Sequence, residues 1–168
     1  MTSARIRHLI PADRTPIENI LRGWGNFRED EIVVAMEVLD EAIRRPEQDY
    51  HVLCAEFRGR LAGYVCFGRI PLTLHNWDLY WIAVDHRQGR LGVGTLLMEA
   101  MEGEVRRQGG RGIFIDTSSL ASYAPARGLY EKNGFRVAAQ FPDFYRDGDA
   151  RIVYRKEVTP HVPHPQDL

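Results

Sequence analysis

Apolar and polar positions along this chain follow two periods, and the changes between them mark out the elements. Residues 5–10 alternate enough for a first strand, closed by Pro11, and Asp13 is placed to cap a helix starting near Thr15 and Pro16. Trp24-Gly25-Asn26 breaks that helix. Ile32, Met36, Leu39 and Ile43 then recur at helical spacing behind the acidic start Glu29, Asp30 and Glu31, until Pro46. Residues 51–57 and 61–70 read as a β-hairpin turning at Gly59. After a loop from Pro71 to Asn76, Trp77 to Val84 reads as a buried strand. Leu97, Met101 and Val105 set one face of a helix that ends at Gly109-Gly110, followed by a strand over 111–117 and a short helix over 125–133. Residues 135–141 and 150–158 read as a closing antiparallel pair, joined by a polar and aromatic connection from Pro142 to Asp149. Thr159 to Leu168 holds three prolines and no periodicity, which predicts a disordered tail. The expectation is one α/β domain over residues 1–158, a mixed sheet of seven strands with helices on both faces.

Composition narrows the partners more than the fold. At 168 residues, 44% apolar and 27% charged, the chain suits a single globular domain with a sizeable core. A formal net charge of −1 supplies no global field for nucleic acid or an anionic membrane, so neither is expected as a partner. No apolar run follows Met1 and none approaches the roughly 20 residues of a membrane span, so a cytoplasmic location is expected. Cys54 and Cys66 fall in neighbouring strands of the hairpin. They read as reduced core thiols, with a cross-hairpin disulfide as the other reading. The six histidines show no zinc-ligand spacing, and no metal is expected.

The chemistry concentrates between Trp77 and Phe135. The apolar run Leu79-Tyr80-Trp81-Ile82-Ala83-Val84 feeds the turn Gln88-Gly89-Arg90-Leu91-Gly92-Val93-Gly94, which opens a helix. Bare backbone delivered to a helix start is an anion site, because unpaired N–H groups and the positive end of the helix dipole converge there. Arg87 and Arg90 flank it with charge suited to phosphate. A dinucleotide site is the competing reading, and Asp116 follows at roughly the right spacing for a ribose-binding acid. The third glycine of that fingerprint would fall at Leu97, however, and the chain opens with hairpins rather than repeated βαβ units. No Gly-Lys-Ser/Thr follows, which excludes a P-loop.

The second segment is Ala126-Arg127-Gly128-Leu129-Tyr130-Glu131-Lys132-Asn133-Gly134-Phe135. Together with the turn it resembles the GCN5-related N-acetyltransferase (GNAT) superfamily, over about residues 50–158. The resemblance implies a mostly antiparallel sheet and acetyl-CoA as acyl-donor cosubstrate. It implies that residues 87–95 (Arg87, Gln88, Gly89, Arg90, Leu91, Gly92, Val93, Gly94, Thr95) hold the pyrophosphate, and that Ile82, Ala83 and Val84 align the pantetheine and the thioester carbonyl. It also implies that Tyr130, beside the sulfur, protonates the departing thiolate. Tyr123 stands where the superfamily often has an asparagine coenzyme contact, and Gly89 stands at the motif's first position in place of glutamine or arginine.

Attack on a thioester needs a free amine, so a base or relayed water helps. With period-two alternation Asp78, Tyr80, Ile82 and Val84 share one face, and Asp78 falls where the superfamily frequently carries a glutamate. Asp78, Asp116 and a water relay remain as alternatives for the base. Trp24, Phe27, Tyr80, Asp116 and Tyr145 are expected at the acceptor pocket, where Glu29, Asp30, Asp143, Phe144, Asp147 and Asp149 add acidic and aromatic character suited to a cationic amine. The expected activity is acetyl transfer to a primary amine of a small molecule or peptide by direct attack, in a monomer or homodimer. A non-catalytic acyl-CoA-binding module on the same fold and a nicotinamide-dependent oxidoreductase are the other readings.

Overall fold

The computed structural model describes residues 4–88 and 92–160. Its strands are β1 (Arg5–His8), β2 (His51–Phe57), β3 (Arg60–Arg69), β4 (Asn76–Val84), β5 (Gly112–Ser118), β6 (Arg136–Arg146) and β7 (Asp149–Glu157). Its α-helices are α1 (Arg14–Gly23), α2 (Glu29–Arg44), α3 (Val93–Arg107) and α4 (Ala124–Lys132). The seven strands make one open sheet in the order β1-β2-β3-β4-β5-β7-β6. Every neighbouring pair is antiparallel except β4–β5, which is parallel. A single parallel pair is not the repeated βαβ winding of a dinucleotide fold.

Period-two alternation splits the core between the two faces. Leu53, Val65, Leu79, Ile113 and Tyr154 look toward Leu97, Met101 and Val105 of α3 and Tyr130 of α4. Val52, Tyr64, Cys66 and Ala83 look the other way, toward Ile17 and Leu21 of α1 and Met36 and Leu39 of α2. Burying a leucine-sized side chain contributes about 1.5–3 kcal/mol, so each helix pair is fastened by its own cluster. Cys54 and Cys66 are buried free thiols. Burial pushes the Cys54 thiol up to about 12 and that of Cys66 well above the usual range, so both pack as neutral core groups. Among the described residues no helix is long and apolar enough to cross a membrane.

Two local expectations need correction. Asp13 sits at the N-cap of α1 but does not cap it. Its carboxylate accepts from the Ile10 N–H at 3.0 Å and from both Nη groups of Arg7 at 2.7 and 2.9 Å. That ties β1 to the start of α1. The connection read as a loop from Pro142 to Asp149 is mostly strand: β6 continues to Arg146 and turns tightly into β7 at Asp149. Pro142 interrupts a strand only where its missing N–H is not needed, and β6 is the sheet edge, irregular between Phe141 and Arg146, with Asp143 at φ 52°. The expected tail lies, from His161 onward, outside the described residues.

Candidate active site

The parallel β4–β5 ladder runs from Asn76↔Gly112 to Leu79↔Ile115 and stops there. Beyond that point β5 stays with β7 as far as Ser118, and β4 stays with β3 as far as Val84. The strands part and leave a slot of about 930 Å³. A β-bulge accompanies the parting. The β3–β4 register steps from Cys66↔Trp81 to Phe67↔Leu79, leaving Tyr80 unpaired, and an extra residue of this kind bends and twists its strand.

The bulge also changes the phase of β4. Trp77 and Leu79 belong to the core under α3, and so do Ile82 and Val84 on the far side of the bulge. Asp78 and Tyr80 therefore lie on the opposite face, the side of α1 and α2. The single face expected for Asp78, Tyr80, Ile82 and Val84 is broken at Tyr80.

What Ile82 and Val84 offer the slot is backbone. The Asp85 N–H donates to the Ala62 carbonyl at 2.8 Å, which makes Ala62 and Asp85 a hydrogen-bonded pair. Such pairs alternate along an antiparallel ladder, so Gly63↔Val84 and Val65↔Ile82 are the non-bonded ones. The N–H and C=O of Ile82 and Val84 accordingly point away from β3, into the slot. One side chain meets them: the Trp24 indole N–H donates to the Val84 carbonyl at 2.6 Å.

On the α3–α4 side, Gly92 adopts φ 69° at the N-cap of α3, a conformation that favours glycine. A Cβ on Gly94 would stand 3.1 Å from a Leu129 methyl, so its absence lets α4 close on the first turn of α3. Gly92, Gly94, Thr95 and Tyr130 line the slot. Val93 does not, because its side chain is in the core. Arg87, expected on phosphate, is instead held by both carboxylate oxygens of Asp85 at 3.0 and 2.9 Å. Gln88 borders a separate hollow of about 550 Å³ beside Arg60, and Gly89, Arg90 and Leu91 lie outside the described residues. Tyr130 packs edge-on against Tyr154 at 5.7 Å. Burial holds its phenol well above the usual tyrosine range, and no group among the described residues hydrogen-bonds its hydroxyl. Tyr130 is thus a protonated donor with its proton unspent.

The opposite side is made of side chains. Asp78 does not itself border the slot; it is half-buried next to the lining residue Asp116, and its carboxyl is pushed up to about 6 by burial and by the charge of Asp116, against the pull of Arg151. Asp116 itself is ion-paired to Arg151 at 2.5 Å. Burial likewise raises the Tyr80 phenol, to about 12. The α1–α2 connection straps this end. Phe27 stands edge-on to Trp81 at 6.0 Å and to Tyr123 at 6.3 Å, and Asn26 donates to the Ser122 carbonyl at 3.4 Å. Tyr123 borders the slot, but its hydroxyl donates to Glu31 at 2.8 Å. Tyr145 borders the slot as well.

The sequence missed Glu31, Ser118 and Arg146 as slot residues. Glu31 was read only as a dipole partner, although its three-residue offset from Arg28 fits a cap, and its carboxylate accepts the Arg28 N–H at 2.7 Å. Asp149, expected to offer its charge to the acceptor, is buried and accepts from the Ser118 hydroxyl at 2.5 Å. That pairing spans two strands and has no signature in spacing. Among the described residues no cluster of three or more metal-ligating side chains occurs.

Residues 17–135 match the model of the acetyltransferase (GNAT) family. A GNAT-family protein from Desulfovibrio desulfuricans is 36% identical, with a TM-score of 0.88 over 92% of this chain and 99% of its own. The Salmonella typhimurium protein YncA, solved with its cofactor acetyl-CoA, shares the fold at 20% identity, with a TM-score of 0.73 over 96% of this chain and 97% of its own. The Bacillus subtilis protein YsnE, an uncharacterized N-acetyltransferase, is 31% identical over 67 residues, which is 40% of this chain and 44% of YsnE. The matched stretches thus span about half the length of the curated relatives.

Proposed function

The chain belongs to the acetyltransferase (GNAT) family, and from that premise we propose that it transfers an acetyl group from acetyl-CoA to a primary amine of a small molecule or peptide, within a ternary complex. The observation that carries this reading is a slot open to both faces of the sheet, with the unspent Tyr130 phenol in its lining and the Asp78 carboxyl within electrostatic reach of its lining residue Asp116. A chain of amides entering from the α3–α4 side fits the free main-chain groups of Ile82 and Val84 as an added strand would. The first turn of α3, from Gly92 to Thr95, offers N–H groups and the positive helix end to a pyrophosphate. Acetyl-CoA supplies an activated acyl carbon and a thiolate leaving group.

The residues then have separate tasks. Asp78, directly or through a water, takes the proton from the attacking amine as the new C–N bond forms. The main-chain N–H groups at Ile82 and Val84 face the position where negative charge grows on the thioester oxygen. The C–S bond breaks, and Tyr130 gives its proton to the sulfur. A raised pKa suits both roles: Asp78 becomes a stronger base than a free aspartate, and Tyr130 keeps its proton until the thiolate forms. The two buried free thiols support a cytoplasmic setting.

Thiol release from acetyl-CoA, measured beside acetyl-CoA binding by calorimetry, tests this assignment. Asp78→Asn and Tyr130→Phe should each lose turnover and keep binding. Unchanged turnover in both would remove these two residues from the chemistry, and a wild-type protein that binds acetyl-CoA without transferring acetyl would be a binding module.

A further inference from the structure

The acceptor side of the slot is less acidic than its sequence. Glu29 and Asp30 are taken up by Arg22 and Arg28. Glu31 accepts from Tyr123 and from the Arg28 N–H. Asp149 accepts from the Ser118 hydroxyl and the Ser119 N–H, and Asp116 faces Arg151. Asp78 has neither a hydrogen bond nor an ion pair among the described residues; Asp147 has none either, but it lies exposed in the turn between β6 and β7. A polyamine would find one acid waiting for it, not a ring of them.

Two guanidinium groups have the reverse character. Arg146 borders the slot and comes only within 3.6 Å of Asp149, too far for a hydrogen bond. Arg151 meets Asp116 through one Nη, while its buried Nε has no partner. The rings of Phe141 and Phe144 hold the Arg151 guanidinium in place, with centroids 5.8 and 5.1 Å from its central carbon. The Arg151 charge acts on both Asp78 and Tyr145, so it lies within short electrostatic range of the free carboxyl. Asp116 borders the slot and pairs with Arg151, and through it the Asp78 acid and the two arginine forks share the acceptor end.

Building on the acetyl-transfer reading above, we propose that the acceptor is a free amino acid, its amine directed to Asp78 and its carboxylate to Arg146 and Arg151. A carboxylate there can meet the half-exposed Arg146 guanidinium and the Arg151 Nη that Asp116 does not hold, and charge-assisted pairs to arginine are among the stronger hydrogen bonds. The same contacts fix the α-carbon, so the amine approaches the slot along one line. Neutral amines lose this fixation, and polyamines bring a second positive charge against the arginines.

The test measures acetyl transfer to the standard L-amino acids, to their decarboxylated amines and to spermidine. The expected preference for an amino acid over its own decarboxylated amine is about tenfold or more in kcat/KM, the worth of one charge-assisted pair. Arg151→Gln and Arg146→Gln should each shrink that ratio, which cancels any loss common to both acceptors, and Arg151→Lys should restore part of it. A ratio near one, a preference for spermidine, a ratio untouched by both variants, or no transfer to any amino acid would overturn the proposal. Acetyl-CoA binding, followed separately by calorimetry, tells the two failures apart. Its loss strikes the acetyl-transfer reading itself, whereas retained binding with the wrong acceptor strikes only the amino-acid assignment.

Discussion

The two faces of the sheet meet the slot with different materials. Under α3 and α4 the slot is mostly main chain: the free backbone of Ile82 and Val84, the helix start at Gly92, and a helix contact permitted by Gly94. Tyr130 is the exception, one polar atom set among apolar ones. Under α1 and α2 the slot is side chain against side chain, and nearly every charge has a partner within the protein. A backbone site grips what is common to every acyl-coenzyme. A side-chain site can be re-paired residue by residue without disturbing the sheet. Donor recognition is therefore expected to resist substitution, and acceptor recognition to follow it.

The largest effect should come from the one reactive side chain on the backbone-built face. Tyr130→Phe removes the proton donor and keeps the ring, so turnover should fall by about 10²–10⁴-fold with acetyl-CoA affinity unchanged. If affinity falls and turnover holds, the division between the faces is wrong. Asp78→Asn should cost at least about 10²-fold in turnover and erase the acid limb of the pH–rate profile. In the wild type the carboxyl is raised to about 6, so lowering the pH through that value protonates the base and rate declines with it. A free aspartate would lose its charge only near pH 4. An acid limb surviving in Asp78→Asn would assign it to another group.

Smaller changes sharpen the contrast. In Gly94→Ala the new methyl presses on Leu129 and moves α4 from α3, with a stability loss of about 1–3 kcal/mol in denaturant titration and weaker acetyl-CoA binding. The preference among acceptors should not change. Trp24→Phe deletes the indole donor to the Val84 carbonyl, worth about 1 kcal/mol. With that internal competitor gone, acetyl-CoA should bind up to about fivefold more tightly. Weaker binding would instead mean that the indole itself grips the coenzyme.

Legibility followed the same division. Glycines announce the helix start and a dense motif announces Tyr130, because those features are local in the chain. The strands and both helix layers follow from periodicity for the same reason. The bulge at Tyr80 was invisible, since a Leu-Tyr-Trp-Ile run alternates as well with an extra residue as without one, and only the partner strand shows the skipped pair. Arg87 was placed on a ligand by proximity to the turn, yet Asp85 two residues before it offered a nearer anion. The acidic look of the acceptor end misled for a related reason. Composition counts charges, while Arg22 and Arg151 neutralise them from other elements and the Ser118 hydroxyl hydrogen-bonds Asp149 from across the sheet.

The ladder geometry of β4 has a consequence for how its amides meet solvent. Ala83 is paired with Tyr64 across the ladder, while Ile82 and Val84 on either side turn their N–H groups into the slot. Along three consecutive residues of one strand, hydrogen exchange should therefore run fast, slow, fast in the free protein. An occupant that pairs with β4 would slow the two fast amides and leave the middle one as it was. The strand is its own reporter, recording residue by residue whether the slot is filled.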